Sequence, residues 1–429
     1  MFPRVHFAAL LVLVAVFASS CPSLGSNCAG TSTGFIPLTD LGAGSYQGVQ
    51  GGLYAGGSNQ RPFAHDFDGV SLAHSIVPLD TFGTADLANG RIVLISIGMS
   101  NATQEFSAFV PKANADPMRD PRVLVVDCAQ GGQAAGTIKY PSASYWNYVA
   151  SRLRSLGSSP AQAQIVWIKE ANAGPTGNFA TSSALLTANL GSIVRIIHAA
   201  LPHVRLAYFT SRIYAGYATS TLNPEPYAYE SGFAVKALIA AQIAGEDSLN
   251  FDPARGAVEA PWLAWGPYLW ADGLTPRLDG LTWACADFSS DGTHPATSAR
   301  NRVADSLLAF FRADDTTRPW YVRDDLVGVT QTTPPATMPS LVSMRVRPAG
   351  PHPSGTPLRL SITVPDSRPV QLEIVDAAGR RVASPRSCTL GFGTHEVVLT
   401  ETAGLRAGVY FARIVGETAV RGTRVVVVW

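Results

Sequence analysis

The apolar residues between positions 90 and 313 follow two alternating rhythms. Unbroken β-branched runs at 91–97, 122–127, 164–168 and 204–209 have strand length, and the first two run into glycines. Apolar positions spaced for one helical face fill 145–156, 182–201, 232–244 and 296–311. Strands that are apolar on both faces and alternate with such helices predict crossover units on a parallel sheet covered from both sides. The expected fold is α/β, a three-layer α/β/α sandwich. Beyond the Pro/Thr-rich stretch at 330–340 the rhythm changes. Short strands at 358–364, 370–375, 395–399, 408–415 and 423–428 follow one another with turns between them and no helix, which predicts an all-β sandwich.

The start of the chain reads differently. Arg4 and His6 precede an apolar run at 7–17 and the small residues Ala18, Ser19 and Ser20, the layout of a signal peptide. That run is too short to span a bilayer comfortably. Export is the expectation, with a bacterial-looking signal. Cleavage before Cys21 would match lipoprotein processing, although Ala18 stands where Leu is usual, so lipidated and unlipidated products both stay open. The expected organisation is a signal peptide at 1–20, a Gly/Ser-rich N-terminal extension at 21–89, the α/β domain at 90–329, a linker at 330–340 and the β-sandwich at 341–429. In the extension, Gly51-Gly52 and Gly56-Gly57 lack the Gly-Lys-Ser ending of a phosphate loop and read as loops. Asp66-Phe67-Asp68-Gly69 begins like a calcium loop, lacks the later ligands and reads as a turn.

Charge narrows the function classes. With 32 basic and 31 acidic residues in 429, the chain offers no electrostatic attraction to nucleic acid or to an anionic membrane. None of the five cysteines forms a Cys-x-x-Cys pair, so neither a zinc ribbon nor a thioredoxin-type site is expected. In an exported protein some of Cys28, Cys128, Cys285 and Cys388 can pair. Cys128 and Cys285 lie beside the two motif regions that follow, so a bridge between them is one option, and the sequence does not choose.

In open α/β sheets, ligands bind beyond the carboxyl ends of the strands. The first strand is followed by Gly98-Met99-Ser100-Asn101, the second by Cys128 to Gln133 with Gly131-Gly132, and the third by Lys169-Glu170-Ala171-Asn172. Ser290-Asp291-Gly292-Thr293-His294-Pro295 forms a turn just before the last helix of the domain. Each piece has an ordinary reading. A Ser after a strand-ending Gly commonly caps a helix, Asn172 alone is a turn residue, and an Asp-Gly turn can carry a His by chance. Together they supply a nucleophile (Ser100), a base (His294), a carboxylate to orient it (Asp291) and oxyanion donors from Ser100 N–H, Gly132 N–H and the Asn172 side chain.

In that order and at those strand ends, the residues resemble the SGNH (GDSL-type) hydrolase superfamily over about residues 90–313. The resemblance implies a flavodoxin-like sheet and a serine esterase or acetylhydrolase mechanism without metal or cofactor. It assigns Ser100 as nucleophile, Gly132 and Asn172 to the oxyanion hole, Asp291 as orienting acid and His294 as base. Two blocks depart from the family: Met99 stands where its Gly-Asp-Ser has Asp, and Glu170-Ala171-Asn172-Ala173 stands in place of Gly-x-Asn-Asp. Gly131 competes with Gly132, which is preferred because it precedes Gln133-Ala134. The C-terminal segment, with Asp376-Ala-Ala-Gly379 and Gly408-Val-Tyr410, resembles immunoglobulin-like modules of secreted bacterial enzymes, of the flagellar hook-capping or type IX secretion sorting kind. It implies sorting or surface attachment.

The expectation is therefore an exported serine hydrolase acting on an ester, with acetylated carbohydrate as one substrate class. The alternative is a non-catalytic carbohydrate-binding or adhesive surface protein on the same scaffold. Trp262, Trp265, Trp270 and Trp283 fit either a core or a sugar-stacking platform. His198 and His203 are expected to cap a helix end, and His65 and His74 to line a pocket rim. Inserts at 213–230 and 246–280 are expected to shape the substrate pocket. The Asn101-Ala-Thr103 sequon, at a strand end, is not expected to be glycosylated.

Overall fold

A computed structural model describes residues 25–323, 345–348, 352–364, 368–376, 380–390, 393–415 and 420–428. The expected signal peptide, Cys21 and the 330–340 linker lie outside them. In the first unit, strands β1 (Ile92–Gly98), β2 (Val123–Val126), β3 (Ala163–Lys169), β4 (Leu206–Phe209) and β5 (Trp262–Trp265) form one parallel sheet in the order β2-β1-β3-β4-β5. Every residue of β1 and β3 is buried, as unbroken apolar runs require when helices cover both faces. The strand order reverses at β1, between β2 and β3. This switch point opens the crevice where such sheets take their ligands, and the 2-1-3-4-5 order is flavodoxin-like.

Helices α1 (Phe63–His74), α2 (Ser100–Asn114), α3 (Ser144–Ser155), α4 (Phe179–Ala200), α5 (Tyr227–Ala244) and α6 (Thr297–Ala313) complete the layers. Two of these elements depart from expectation. The Asp66–Gly69 segment is inside α1 rather than in a turn. The buried face of that helix is His65, Gly69 and Ala73, an i, i+4, i+8 row of small or polar residues that gives no apolar stripe. Gly69 is required there because a Cβ would come within 2.3 Å of the Trp262 ring. Strand β5 falls inside the insert at 246–280, and its Trp-Leu-Ala-Trp is too short and too free of β-branched residues to stand out.

The segment before β1 is built into this unit. Leu38 and Tyr54 are buried in its core, and Ser32, Thr33 and Gly34 all hydrogen-bond the Asp272 carboxylate. The four tryptophans are core rather than platform. All are buried, and their indole N–H groups donate to His65 O, Leu53 O, Glu225 Oε1 and Leu269 O respectively.

The C-terminal unit is all-β. Strands β6 (Arg345–Pro348), β8 (Leu358–Val364) and β11 (Gly393–Leu399) make a three-stranded antiparallel sheet in the order β11-β8-β6. Strands β7 (His352–Pro353), β9 (Arg368–Asp376), β10 (Arg386–Leu390), β12 (Gly408–Val415) and β13 (Val420–Val428) make the second, in which only the β13–β7 pair is parallel. Leu358, Leu360, Ile362, Leu372, Ile374 and Ala412 from both sheets share a separate apolar cluster.

Candidate active site

Ser100 is held by a tight passage from β1 into α2. A Cβ on Gly98 would lie 2.4 Å from both Ala102 Cβ and Lys169 O, so no other residue fits between helix and neighbouring strand. Met99 stays extended, and Ser100 is the first helical residue. The N–H groups of the first turn have no acceptor within the helix and sit at its positive end.

The Asp291–His294 turn meets this serine. His294 Nε2 lies 2.8 Å from Ser100 Oγ, and His294 Nδ1 lies 2.5 Å from Asp291 Oδ2. If Nδ1–H donates to the carboxylate, Nε2 is left to accept from the serine hydroxyl. Asp291 Oδ1 accepts from the backbone N–H of Thr293 and of His294, each at 3.0 Å. Partial burial works against ionisation of Asp291. The two N–H groups and the imidazole outweigh it and hold the carboxyl below its ordinary range. Asn101 Nδ2 donates to Thr293 O at 3.0 Å, which ties the residue after Ser100 to the turn that carries His294. Asn101 is buried, so the sequon has no surface to present.

The loop after β2 is laid across the end of β1. Gln130 N–H donates to Gly98 O, while Gly98 N–H donates to the Tyr145 hydroxyl, which in turn donates to Cys128 O. Asp127, just past β2, accepts from Ser96 on β1 and from Thr103 and Ser107 on α2, and so clamps the helix that begins at Ser100 to the sheet. This path places Gly131 beside the serine: a Cβ there would be 3.9 Å from Ser100 Cβ. At Gly132, which has a φ of +79°, a Cβ would meet nothing within 4 Å. The Gly132 N–H belongs to the peptide that joins these two glycines.

Asn172 follows β3, which pairs with β1 up to Gly98 opposite Lys169. The loop after β2 spans the gap, since Gly136 would place a Cβ 3.7 Å from Asn172 Oδ1. Asn172 borders an open cleft of 320 Å³ with Thr137, Lys139, Thr176, Leu185 and Asn189 on its wall. Two residues before Asn172, burial pushes the Glu170 carboxyl well above its ordinary range. Lys169 and Glu105, both fully buried, form an ion pair at 2.7 Å between β3 and α2.

One loop braces both halves of the site. Residues 217–223, in the first of the two inserts, contact the turn through Ser220 Oγ, 3.4 Å from Thr293 Oγ1, and contact the β3 loop through Asn223 Nδ2, which donates to Asn172 O at 3.0 Å. Gly292 (φ +64°) packs on the same loop so closely that a Cβ would sit 1.9 Å from Tyr217 O. Cys28 is bonded to Cys285, not Cys128 to Cys285; Cys128 is a buried free thiol beneath the β2 loop, its pKa pushed up by burial. The bridge anchors a segment whose Asn27 N–H donates to Tyr217 O.

His65, His198 and His203 make no contact with Ser100, Asp291 or His294. His65 is buried, bonded to Leu263 O at 2.7 Å, stacked on Trp262 and pushed by burial to a pKa of about 4. It belongs to the core, not to a pocket rim. His203 does not cap the helix; its Nδ1 meets Ala161 O at 2.7 Å. His198 Nδ1 is buried without a hydrogen-bond partner.

No protein-family profile and no curated relative matches the sequence. Among solved structures, the chain is similar to YxiM of Bacillus subtilis (11% identity, 53% of this chain and 58% of that one, TM-score 0.28). It is also similar to the periplasmic domain of a lipopolysaccharide acetyltransferase from Salmonella ser. Paratyphi A (13%, 57% and 94%, 0.30). A third is the salicylyl-acyltransferase SsfX3 from a tetracycline biosynthetic pathway (15%, 53% and 55%, 0.28). The chain thus spans little more than half the length of the first and third.

Proposed function

We propose that this protein is an exported serine hydrolase that cleaves an ester, with O-acetyl groups on carbohydrate as one substrate class. The observation that carries the reading is the continuous chain from Ser100 Oγ through His294 to Asp291 at 2.8 and 2.5 Å. In this reading His294 Nε2 takes the serine proton as Oγ bonds to the ester carbonyl carbon. The carbonyl π electrons move to oxygen, where the N–H of Ser100, the N–H of Gly132 and Asn172 Nδ2 receive the charge. Collapse breaks the bond to the alcohol, which leaves with the proton from His294. Water then attacks the acyl-serine by the same steps and releases the acid. Asp291 stays ionised and keeps the imidazole in the required tautomer. The C-terminal β unit, which carries no group used in these steps, would serve sorting or surface attachment of the exported enzyme.

Ser100→Ala tests the reading. Turnover of an aryl acetate should fall by at least about 10³-fold with the melting temperature preserved. Labelling by a fluorophosphonate should disappear in the same variant. Unlabelled wild-type protein would favour the non-catalytic binding role instead.

A further inference from the structure

Asn172 has a side-chain amide with two chemically opposite ends. Nδ2 can donate to an oxyanion, whereas Oδ1 can only accept and would repel one. The loop that carries it is fixed by Asn223 Nδ2 on Asn172 O and by Gly174 N–H on Leu222 O at 2.8 Å. What remains free is the direction in which the amide is turned, Nδ2 or Oδ1 outward from the loop. Asn189 Nδ2 donates to Asn172 Oδ1 at 2.8 Å and occupies that end. Asn189 is 4% exposed in the middle of α4, on a side shared with the buried Leu186, Leu190 and Ile193. An Asn there is a poor helix former and costs desolvation, so packing alone gives no reason for it.

We infer that Asn189 is a positioning residue, which holds Asn172 Oδ1 so that Asn172 Nδ2 is presented to the oxyanion formed by attack of Ser100. The inference rests on Ser100 acting as a nucleophile. It acts through one hydrogen bond, so the direction of that bond matters. An aspartate at 189, when ionised, can only accept; it would recruit Asn172 Nδ2 and exchange the places of Nδ2 and Oδ1.

The test measures kcat and KM for an aryl acetate in the full chain, with Asn189→Leu, Asn189→Asp, Asn172→Ala and the double variant Asn172→Ala/Asn189→Leu. Loss of one oxyanion donor lowers kcat by about 10²–10³-fold, which sets the value expected for Asn172→Ala. Asn189→Leu should lower kcat by about 10-fold or more with KM nearly unchanged, and Asn189→Asp should approach the Asn172→Ala value. In the Asn172→Ala background, Asn189→Leu should have no further effect, because the residue it positions is gone. A merely structural role would lower activity equally in both backgrounds and would overturn the inference, as would unchanged kcat in both Asn189 single variants. If burial of the aspartate prevents folding, the leucine variant and the double variant decide alone. Wild-type protein that neither turns over nor reacts with a fluorophosphonate would sink the hydrolase reading and this inference with it. Labelled, active wild-type protein with unaffected Asn189 variants would sink this inference alone.

Discussion

Replacing Gly292 by Ala should disable the site with a single methyl group. The added Cβ would lie 1.9 Å from Tyr217 O, 2.3 Å from Tyr217 C and 2.8 Å from Ala218 N, all backbone atoms that no rotamer change can clear. Side-chain carbons essentially never approach closer than 3.0 Å, so the turn or the loop must move by at least 1.1 Å (3.0 minus 1.9). The φ of +64° adds the left-handed cost of about 1–2 kcal/mol, and the clash adds about 1–3 kcal/mol. Stability should therefore drop by about 2–5 kcal/mol, read as a lower midpoint in urea. The displacement falls between Asp291 and His294, the two residues whose 2.5 Å contact orients the imidazole. Misplacement by about 1 Å is enough for a 10²-fold loss in rate. Steady-state kinetics on an aryl acetate should place that loss in kcat, with fluorophosphonate labelling slowed in parallel. A folded Gly292→Ala protein with turnover within about threefold of wild type would refute the claim that close packing on Tyr217 sets the triad.

Two predictions concern buried charge. Glu225 accepts from Ala215 N–H, Tyr229 N–H and Trp270 Nε1–H, yet burial raises its pKa from 4.5 to about 7. The folded state thus holds a proton that the unfolded state releases, so this stability is complete below pH 4.5 and is lost as pH rises toward 7. The loss is at most about 3 kcal/mol, and urea melts at pH 5 and 8 should show it in wild type and not in Glu225→Gln; equal slopes in both would dismiss the assignment. Lys169→Met leaves Glu105 as a buried carboxylate without its partner and should cost about 3–5 kcal/mol. Adding Glu105→Leu should restore most of the lost melting temperature, and no recovery would mean that Lys169 acts through something other than the pair.

Ser100, Asp291 and His294 could be read from the chain because each carries a local mark: a strand ending in glycine, or an Asp-x-x-His turn broken by Gly and Pro. The residues that brace them carry none. Asn101, Asp127, Asn189 and Asn223 look like ordinary polar positions, and their partners lie 192, 31, 17 and 51 residues away in sequence. Helix α1 and strand β5 were hidden for a related reason, since Gly69 and Trp262 make sense only against each other. The same holds for the tryptophans, whose composition fits a platform as well as a core until their N–H acceptors are known. The cysteine pairing was equally out of reach, because proximity to a motif in sequence does not predict which thiol the fold buries.

That pairing has a consequence in the order of synthesis. Cys28 must wait for a partner 257 residues downstream, and the first thiol to follow it is Cys128. Where thiols oxidise while the chain is still emerging, the nearer thiol would compete for Cys28. Cys128 lies directly behind β2, whose neighbour β1 is already made, so early docking of these two strands would hide it before Cys285 appears. In a compartment that oxidises thiols, burial of Cys128 would then have a second use besides packing: it would keep the nearer thiol from pairing with Cys28.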